Sequence, residues 1–314
     1  MIQKINKAYK FRFYPDKRQK EVLNRELNNA RFVWNQLLFA AKVVYDSRKE
    51  HINLSKTLTE MKKLEEFSFL QDSSSEALQQ KCLDLETAYK NTFRRLRQGK
   101  VGREAGFPKF KSKIGAQSVR YTLDQRNIHN IYRSGEFIRP TKDVGKIEFK
   151  WTQIPIGVPK MLTITRDPSD QWWLSFSCEE EVNVREPTSQ KPIGIDFGMK
   201  VFATLSNGLQ FKHPLSFAKA KAKLAKEQRK LSRKTKGSKR RLKQRLKVAK
   251  MHSKIANQRR DYIHKFTNLI CNNLHRINAR YSVSCVELFK HNTVSGLFFI
   301  IYLKIPGIKL KLNF

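Results

Sequence analysis

The stretch KPIGIDFGMKVFATLSNG, residues 191–208, decides how the C-terminal half of the chain is read. Successive side chains on a strand alternate between faces, so Ile193, Ile195 and Phe197 point one way and Gly194, Asp196 and Gly198 the other. Asp196 is then a carboxylate on a face stripped of neighbouring side chains. Such bareness leaves room for a metal ion and a phosphodiester to approach, as a phosphoryl-transfer site needs. Val201, Ala203 and Leu205 return as a second strand, Ser206-Asn207-Gly208 forms a tight turn, and Leu209 and Phe211 begin a third. An Asp followed two residues later by Gly is also a common hairpin cap, and the stretch alone leaves both readings open.

Around this lone acid the chain is strongly basic: 64 Lys and Arg against 27 Asp and Glu give a formal charge of +37. A hydrophobic fraction of 39% with 21 Phe and 4 Trp is too high for a disordered polycation. At 314 residues the chain has room for two or three domains with their own cores. A compact body of this charge repels itself unless a polyanion neutralises it, and nucleic acid is the commonest such partner. An acidic membrane surface is the rival. The longest apolar run, GLFFIIYL at 296–303, falls well short of the ~20 residues that span a bilayer, so no membrane partner is expected. The opening MIQKINKAYKFRFYP lacks a leader pattern, which makes the cytoplasm the expected compartment. Cys82, Cys178, Cys271 and Cys285 are far apart without a CxxC pair and read as reduced core residues, with no zinc site expected.

Upstream, KAYKFRF at 7–13 alternates Tyr9, Phe11 and Phe13 with Lys10 and Arg12, the period of a half-buried strand. Asp16 with Gln19 three residues on suits a reciprocal helix cap, and Leu23, Leu27, Ala30, Trp34, Leu37 and Ala41 follow at helical steps. A second helix is predicted over about 76–98, with Leu78, Cys82, Leu85, Tyr89, Phe93 and Leu96 on one face and Arg94, Arg95 and Arg97 turned elsewhere. In GFPKFKSK, 106–113, Phe107 and Phe110 alternate with Lys109, Lys111 and Lys113. The rings could stack on bases while the lysines neutralise phosphates, or they could anchor the loop to a core. From 117 to 181 the pattern is of strands, SVRYTL, KIEFKW, MLTITRD and QWWLSFSC. These predict a β-barrel (1–15 with 115–186) that includes the 7–13 strand, with a helical bundle (16–114) inserted into it.

Downstream, residues 218–260 hold one acid, Glu227, among nineteen lysines and arginines. A merely solvated helix mixes both signs to gain i,i+4 pairs, so a one-sided run favours contact with a phosphate backbone. Arg229, Arg233, Lys234, Arg240, Arg241, Arg245 and Arg259 are its candidate contacts, with Arg94, Arg95, Lys109 and Lys111 upstream. Two helical stretches are predicted here, broken near Gly237, and the second continues through Tyr262, Phe266 and Ile270. It leads into a strand, ARYSVSCVEL, ending on Glu287. If that strand lies beside the first strand of the meander, Glu287 joins Asp196 and the two share a divalent cation; alone, Glu287 reads as an exposed strand end. Asp261 beside Arg259 and Arg260 reads as an ion-paired helix residue. A three-strand meander that opens on such an Asp is how the ribonuclease-H-like fold begins.

YKFRFYP, NNARFVWNQLL, LDLETAYKNTFRRLRQGK, GFPKFKSK, GIDFGMKVFATLSNG, QRKLSRKTKGSKRRLKQRLKVAKMHSKIANQRRDYIHK and VEL, in that order from about residue 7 to 290, resemble TnpB, the OrfB family of bacterial insertion sequences. The resemblance implies an α+β multi-domain protein: a barrel and bundle holding guide RNA and DNA, then a RuvC-type nuclease domain (187–290) that cuts DNA with Mg²⁺ on Asp, Glu and a second Asp. By motif the first two are Asp196 and Glu287, as catalytic and metal residues. Beyond the Glu the family continues into a four-cysteine zinc ribbon and the last Asp. Here FKHNTVSGLFFIIYLKIPGIKLKLNF follows, with no Asp, Glu or Cys after Glu287. The nuclease domain is therefore expected to be incomplete, 291–314 an aberrant tail, and the chain unable to cleave. Two functions stand: an RNA-guided DNA endonuclease by descent, with DNA and a guide RNA from the same element as partners and no small-molecule substrate, or a non-catalytic remnant acting as repressor or guide-RNA binder.

Overall fold

A computed structural model describes residues 2–48, 50–125, 127–128, 137–183, 195–198, 200–212, 214–277, 289–293 and 296–300. The chain is a mixture of α-helices and antiparallel sheets that separates into two compact units, Lys4–Glu181 and Met1–Gln3 with Val182–Phe314.

The first unit begins within β1 (Ile2–Phe13), from Lys4 on; its Tyr9, Phe11 and Phe13 are buried while Lys10 and Arg12 are exposed, as the period of two requires. Pro15 and the reciprocal cap then start α1 (Lys17–Arg48): Asp16 Oδ1 accepts from Gln19 N at 2.7 Å and Gln19 Oε1 from Asp16 N at 3.1 Å. Two elements the sequence period does not announce follow, α2 (Leu54–Met61), capped by Asn53, and a 3-10 helix (Glu65–Asp72). Next, α3 (Ser75–Arg97) is capped by Ser74 and ends on Arg94, Arg95 and Arg97, where cations meet the negative end of the helix dipole. The later half of α1, α2 and α3 enclose one core built on Val33, Leu37, Leu58, Leu70, Leu78 and Leu85.

The rest of this unit is β2 (Gln117–Thr122), β3 (Phe137–Ile138), β4 (Ile147–Glu148), β5 (Pro159–Arg166) and β6 (Trp172–Asn183). The main sheet runs in the order β1-β6-β5-β2, so the first strand of the chain is hydrogen-bonded to the sixth. The small β3–β4 hairpin adds Ile138, Ile147 and Phe149 to the same core as Phe11 and Phe176. There Phe149 sits 5.3 Å from Phe176 and 5.8 Å from Phe11, ring to ring.

The second unit carries a meander in the order β7-β8-β9: β7 (Ile195–Asp196), β8 (Val201–Leu205) and β9 (Gln210–Lys212). Gly208 takes φ +86°, the left-handed region its turn requires. Leu209 is 45% exposed and belongs to that turn, so the third strand starts one residue later than predicted. After the meander come α4 (Leu215–Ser232) and α5 (Lys239–Ile277); α5 packs on the meander and α4 lies along α5. Phe266 of α5 is the hub, with ring centres 5.1 Å from Phe202 and 4.8 Å from Phe211, and Tyr262 donates to the Lys212 carbonyl at 2.7 Å. Further on, β10 (Phe289–Thr293) and β11 (Gly296–Ile300) form an antiparallel hairpin.

Candidate functional site

Asp196 lies in β7, paired antiparallel with β8 so that Ile195 faces Leu205 and Asp196 faces Thr204. Ile195 is 4% exposed and Phe197 packs on Phe202 and Phe266, so burying these two sends the carboxylate between them to solvent. A Cβ at Gly198 would meet the Val201 carbonyl oxygen at 3.0 Å, so the smallest residue serves where the chain turns from β7 to β8. Among the described residues no lysine or arginine pairs with Asp196, although the chain carries +37. An exposed, unclaimed carboxylate is the hard oxygen donor that Mg²⁺ takes. Glu287 lies outside the described residues. Asp261 is occupied: it pairs with Lys265 at 2.9 Å, one turn along α5, and not with its neighbours Arg259 and Arg260.

The basic run folds as an antiparallel helical hairpin, α4 and α5 joined through Gly237 at φ +86°. The one acid of residues 218–260 faces inward. Glu227, 7% exposed, accepts from Gln244 Nε2 at 2.7 Å and lies 3.0 Å from Lys230 and 3.1 Å from Lys247. Hydrogen bonds from Gln244 and then from the two lysines hold its carboxyl down to about 2. Arg241 turns back to cap α4, donating to the carbonyls of Leu231 at 2.9 Å and Lys234 at 2.5 Å. With Glu227 and Arg241 spent inside, Arg229, Arg233, Arg240 and Arg259 are exposed and Lys234 and Arg245 half-buried. Over residues 218–260 the exposed charge of the hairpin is therefore of a single sign, suited to a phosphate backbone.

In the first unit, the loop 106–111 is clamped along α1. Trp34 Nε1 donates to the Lys109 carbonyl at 3.0 Å, while Asn35 both donates to the Lys111 carbonyl at 3.0 Å and accepts from Lys111 N at 2.8 Å. Lys111 lays its ammonium 3.4 Å from the centre of the Trp34 ring, and burial brings its pKa down to about 8. Arg95 holds the start of the loop through the Ala105 carbonyl at 3.1 Å, whereas Arg94 and Lys109 are exposed. Phe107 and Phe110, at 51% and 53% exposure, do not anchor this loop to the core. Neither the clamp nor the inward Glu227 was read from sequence, though an Asn next to a Trp on the helix stripe and a lone acid three residues from a lysine are their traces.

The model of a family described as "Probable transposase", of the OrfB proteins of insertion sequences, matches residues 175–281, and one described as "Helix-turn-helix domain", also of the OrfB proteins, matches residues 1–50. A Streptomyces pristinaespiralis protein described as "Putative RNA-guided DNA endonuclease" is 34% identical over 273 residues, which cover 85% of this chain and 64% of that protein. InsQ of Escherichia coli (strain K12), with the same description, is 35% identical over 85% of this chain and 63% of its own. The chain belongs to the OrfB family. It spans under two thirds of the length of these two OrfB relatives. Over residues 2–48 this OrfB chain forms one strand and one unbroken helix instead of two helices about a turn. Among solved structures, a Cas12f1–sgRNA–target DNA complex aligns with 86% of the chain and 79% of its own at 12% identity and a TM-score of 0.45. No helix among the described residues is long and apolar enough to cross a membrane.

Proposed function

We propose that the chain is an RNA-guided DNA endonuclease of the OrfB type, which grips RNA and DNA through the α4–α5 hairpin and the first unit and carries its hydrolytic centre on Asp196 and Glu287. The observation that carries this reading is Asp196 itself, an exposed carboxylate on the first strand of the meander with no ion pair among the described residues in a chain of +37, within the segment that matches the family. The finer architecture proposed is a barrel of the first-unit strands with an inserted bundle, then a ribonuclease-H-like nuclease domain.

Asp196 and Glu287 would hold Mg²⁺, which when bound activates water and neutralises charge on the leaving oxygen of a phosphodiester. Asp196 supplies one charged oxygen ligand from a strand held rigid by Ile195 and Phe197. Gly198 keeps the approach clear. The outward arginines of the hairpin fix the polyanion by its phosphates, a sequence-independent grip that leaves recognition to base pairing with a guide. Within these 314 residues no acid follows Glu287, so no third downstream carboxylate completes the set; the chain by itself is proposed to bind without cutting.

The test is incubation of the chain with guide RNA from the same element, Mg²⁺ and target DNA, reading binding and cleavage together. Binding without cutting is expected. Cutting that Asp196→Ala abolishes would overturn the non-cleaving part and keep the nuclease centre; failure to retain either RNA or DNA would overturn the whole reading. The hairpin's one-sided charge also favours a second function for the same chain, that of a repressor or guide-RNA binder, expected to occupy its target without nicking it.

A further inference from the structure

The clamped loop of the first unit is built as no phosphate-binding loop needs to be. Its backbone is fixed at Lys109 and Lys111 by Trp34 and Asn35, and at Ala105 and Gly106 by Arg95 and Thr92, while its two phenylalanines point away from the core. Large exposed rings on a rigid loop forgo burial that each could contribute to folding, so a ligand face is the economical explanation. Phe39, 57% exposed, lies one turn from Asn35 and three residues before Lys42 on the same stripe of α1. Lys42 places its ammonium 4.9 Å from the centre of the Phe110 ring, and more than half of Phe110 remains open. Exposed Lys109 and Lys113 complete the rim.

We propose that Phe107 and Phe110 form a preformed stacking platform for unpaired bases of a single-stranded nucleic acid, with Lys42, Lys109 and Lys113 meeting the flanking phosphates. Aromatic faces accept any base, and lysines around them favour a polyanion over an apolar peptide or a second copy of this equally basic chain. A duplex, whose bases are stacked on one another, offers the rings nothing. The clamp supplies the rigidity: the backbone is already ordered when the strand arrives, so little entropy is lost on binding. This inference deepens the proposed function but uses a surface distinct from the α4–α5 hairpin.

The experiment uses the full chain and short single strands of matched sequence, one of RNA and one of DNA, each carrying one 2-aminopurine, with a duplex of the same sequence as comparison. Phe107→Leu with Phe110→Leu keeps an apolar side chain but removes the π-face; Phe107→Tyr with Phe110→Tyr keeps it. The Leu pair is expected to weaken single-strand binding roughly five- to a hundredfold and to lose the 2-aminopurine quenching, with the dependence of affinity on salt unchanged and duplex binding untouched. The Tyr pair is expected to bind as the parent does, and an unchanged melting temperature in both pairs shows that the clamp is intact. The RNA and DNA arms identify which strand the platform holds. Full affinity and quenching in the Leu pair, equal losses for duplex and single strand, or a loss carried entirely in the salt slope would each overturn the proposal. Parallel variants Arg229→Gln, Arg233→Gln and Arg240→Gln separate the two readings: if these leave binding intact while the Leu pair loses it, the hairpin reading fails and the platform stands.

Discussion

Gln244 reaches across the basic hairpin to Glu227 twice, its Nε2 donating to the carboxylate at 2.7 Å and to the Glu227 carbonyl at 3.1 Å. This fixes the register between α4 and α5, and through it the positions of the outward arginines. Because the Glu227 carboxyl sits at about 2 against an ordinary 4.5, its stabilisation is fully present above about 4.5 and is lost as pH falls toward 2. Thermal melting followed across that window should show the loss, and Glu227→Gln should remove this part of the pH dependence while weakening the hairpin at neutral pH.

Lys111 has the opposite linkage. Burial, and after it the nearby Lys81, lower its pKa from 10.5 to about 8, so the charged form is disfavoured in the folded state in spite of its contact with the Trp34 ring. Its contribution is unfavourable below about 8 and is relieved as pH rises from about 8 to 10.5. Tryptophan fluorescence should titrate with a midpoint near 8, and Lys111→Met should abolish that transition. An unchanged titration in the variant would show that the indole–ammonium contact does not exist in solution.

A methyl group at Gly157 would collide with the backbone carbonyl of Glu179, an obstacle that cannot rotate away. Gly157→Ala is expected to destabilise the first unit by about 1–3 kcal/mol in urea unfolding, the scale of overpacking elsewhere. Gly115→Ala, whose Cβ would lie at an ordinary 3.7 Å from Ser112 O, should be close to neutral and serves as the control.

Cys82 and Cys178 are buried, at 0% and 1% exposure, and burial pushes both thiols up to about 11. Alkylation acts on the thiolate, so neither should react with iodoacetamide at neutral pH until the chain unfolds. Mass spectrometry of the modified peptides, native against urea-treated, checks this residue by residue.

Asp196→Asn should leave the melting temperature nearly unchanged, within ~0.5 kcal/mol, since an exposed carboxylate without an ion pair among the described residues adds little to folding. A large destabilisation would mean that the carboxylate is a structural cap and not a held-open ligand.

Most of the architecture could be read where one period runs long enough to stand out. The β1 alternation, the Asp16–Gln19 cap and the stripe from Leu23 to Leu37 each combine a local rule with burial on one face, and the structure keeps all three. Residues 54–72 escaped because α2 is eight residues long and its Leu54, Leu58 and Met61 make too few turns to rise above the surrounding polar sequence. At the candidate site, the face of Asp196 followed from Ile195 and Phe197 alone. The position of Glu227 did not, because a charge run is read by its net sign, whereas an inward acid is chosen by the hydrogen bonds another helix brings to it. The clamp on Lys111 joins residues 76 apart in sequence through backbone groups that no side-chain pattern encodes.

The pairing of β1 with β6 has a consequence for synthesis. The opening strand leaves the ribosome with an unpaired edge, and its partner is made only after α1, α2 and α3 have been synthesised, so that until then, of the buried residues of those helices, only Leu23, Leu27 and Ala77 are at hand to cover its aromatic side chains. Throughout that interval a nascent chain is open to intermolecular strand pairing, and yield in a host cell should respond more to translation speed and chaperone supply than to the stability of the finished sheet.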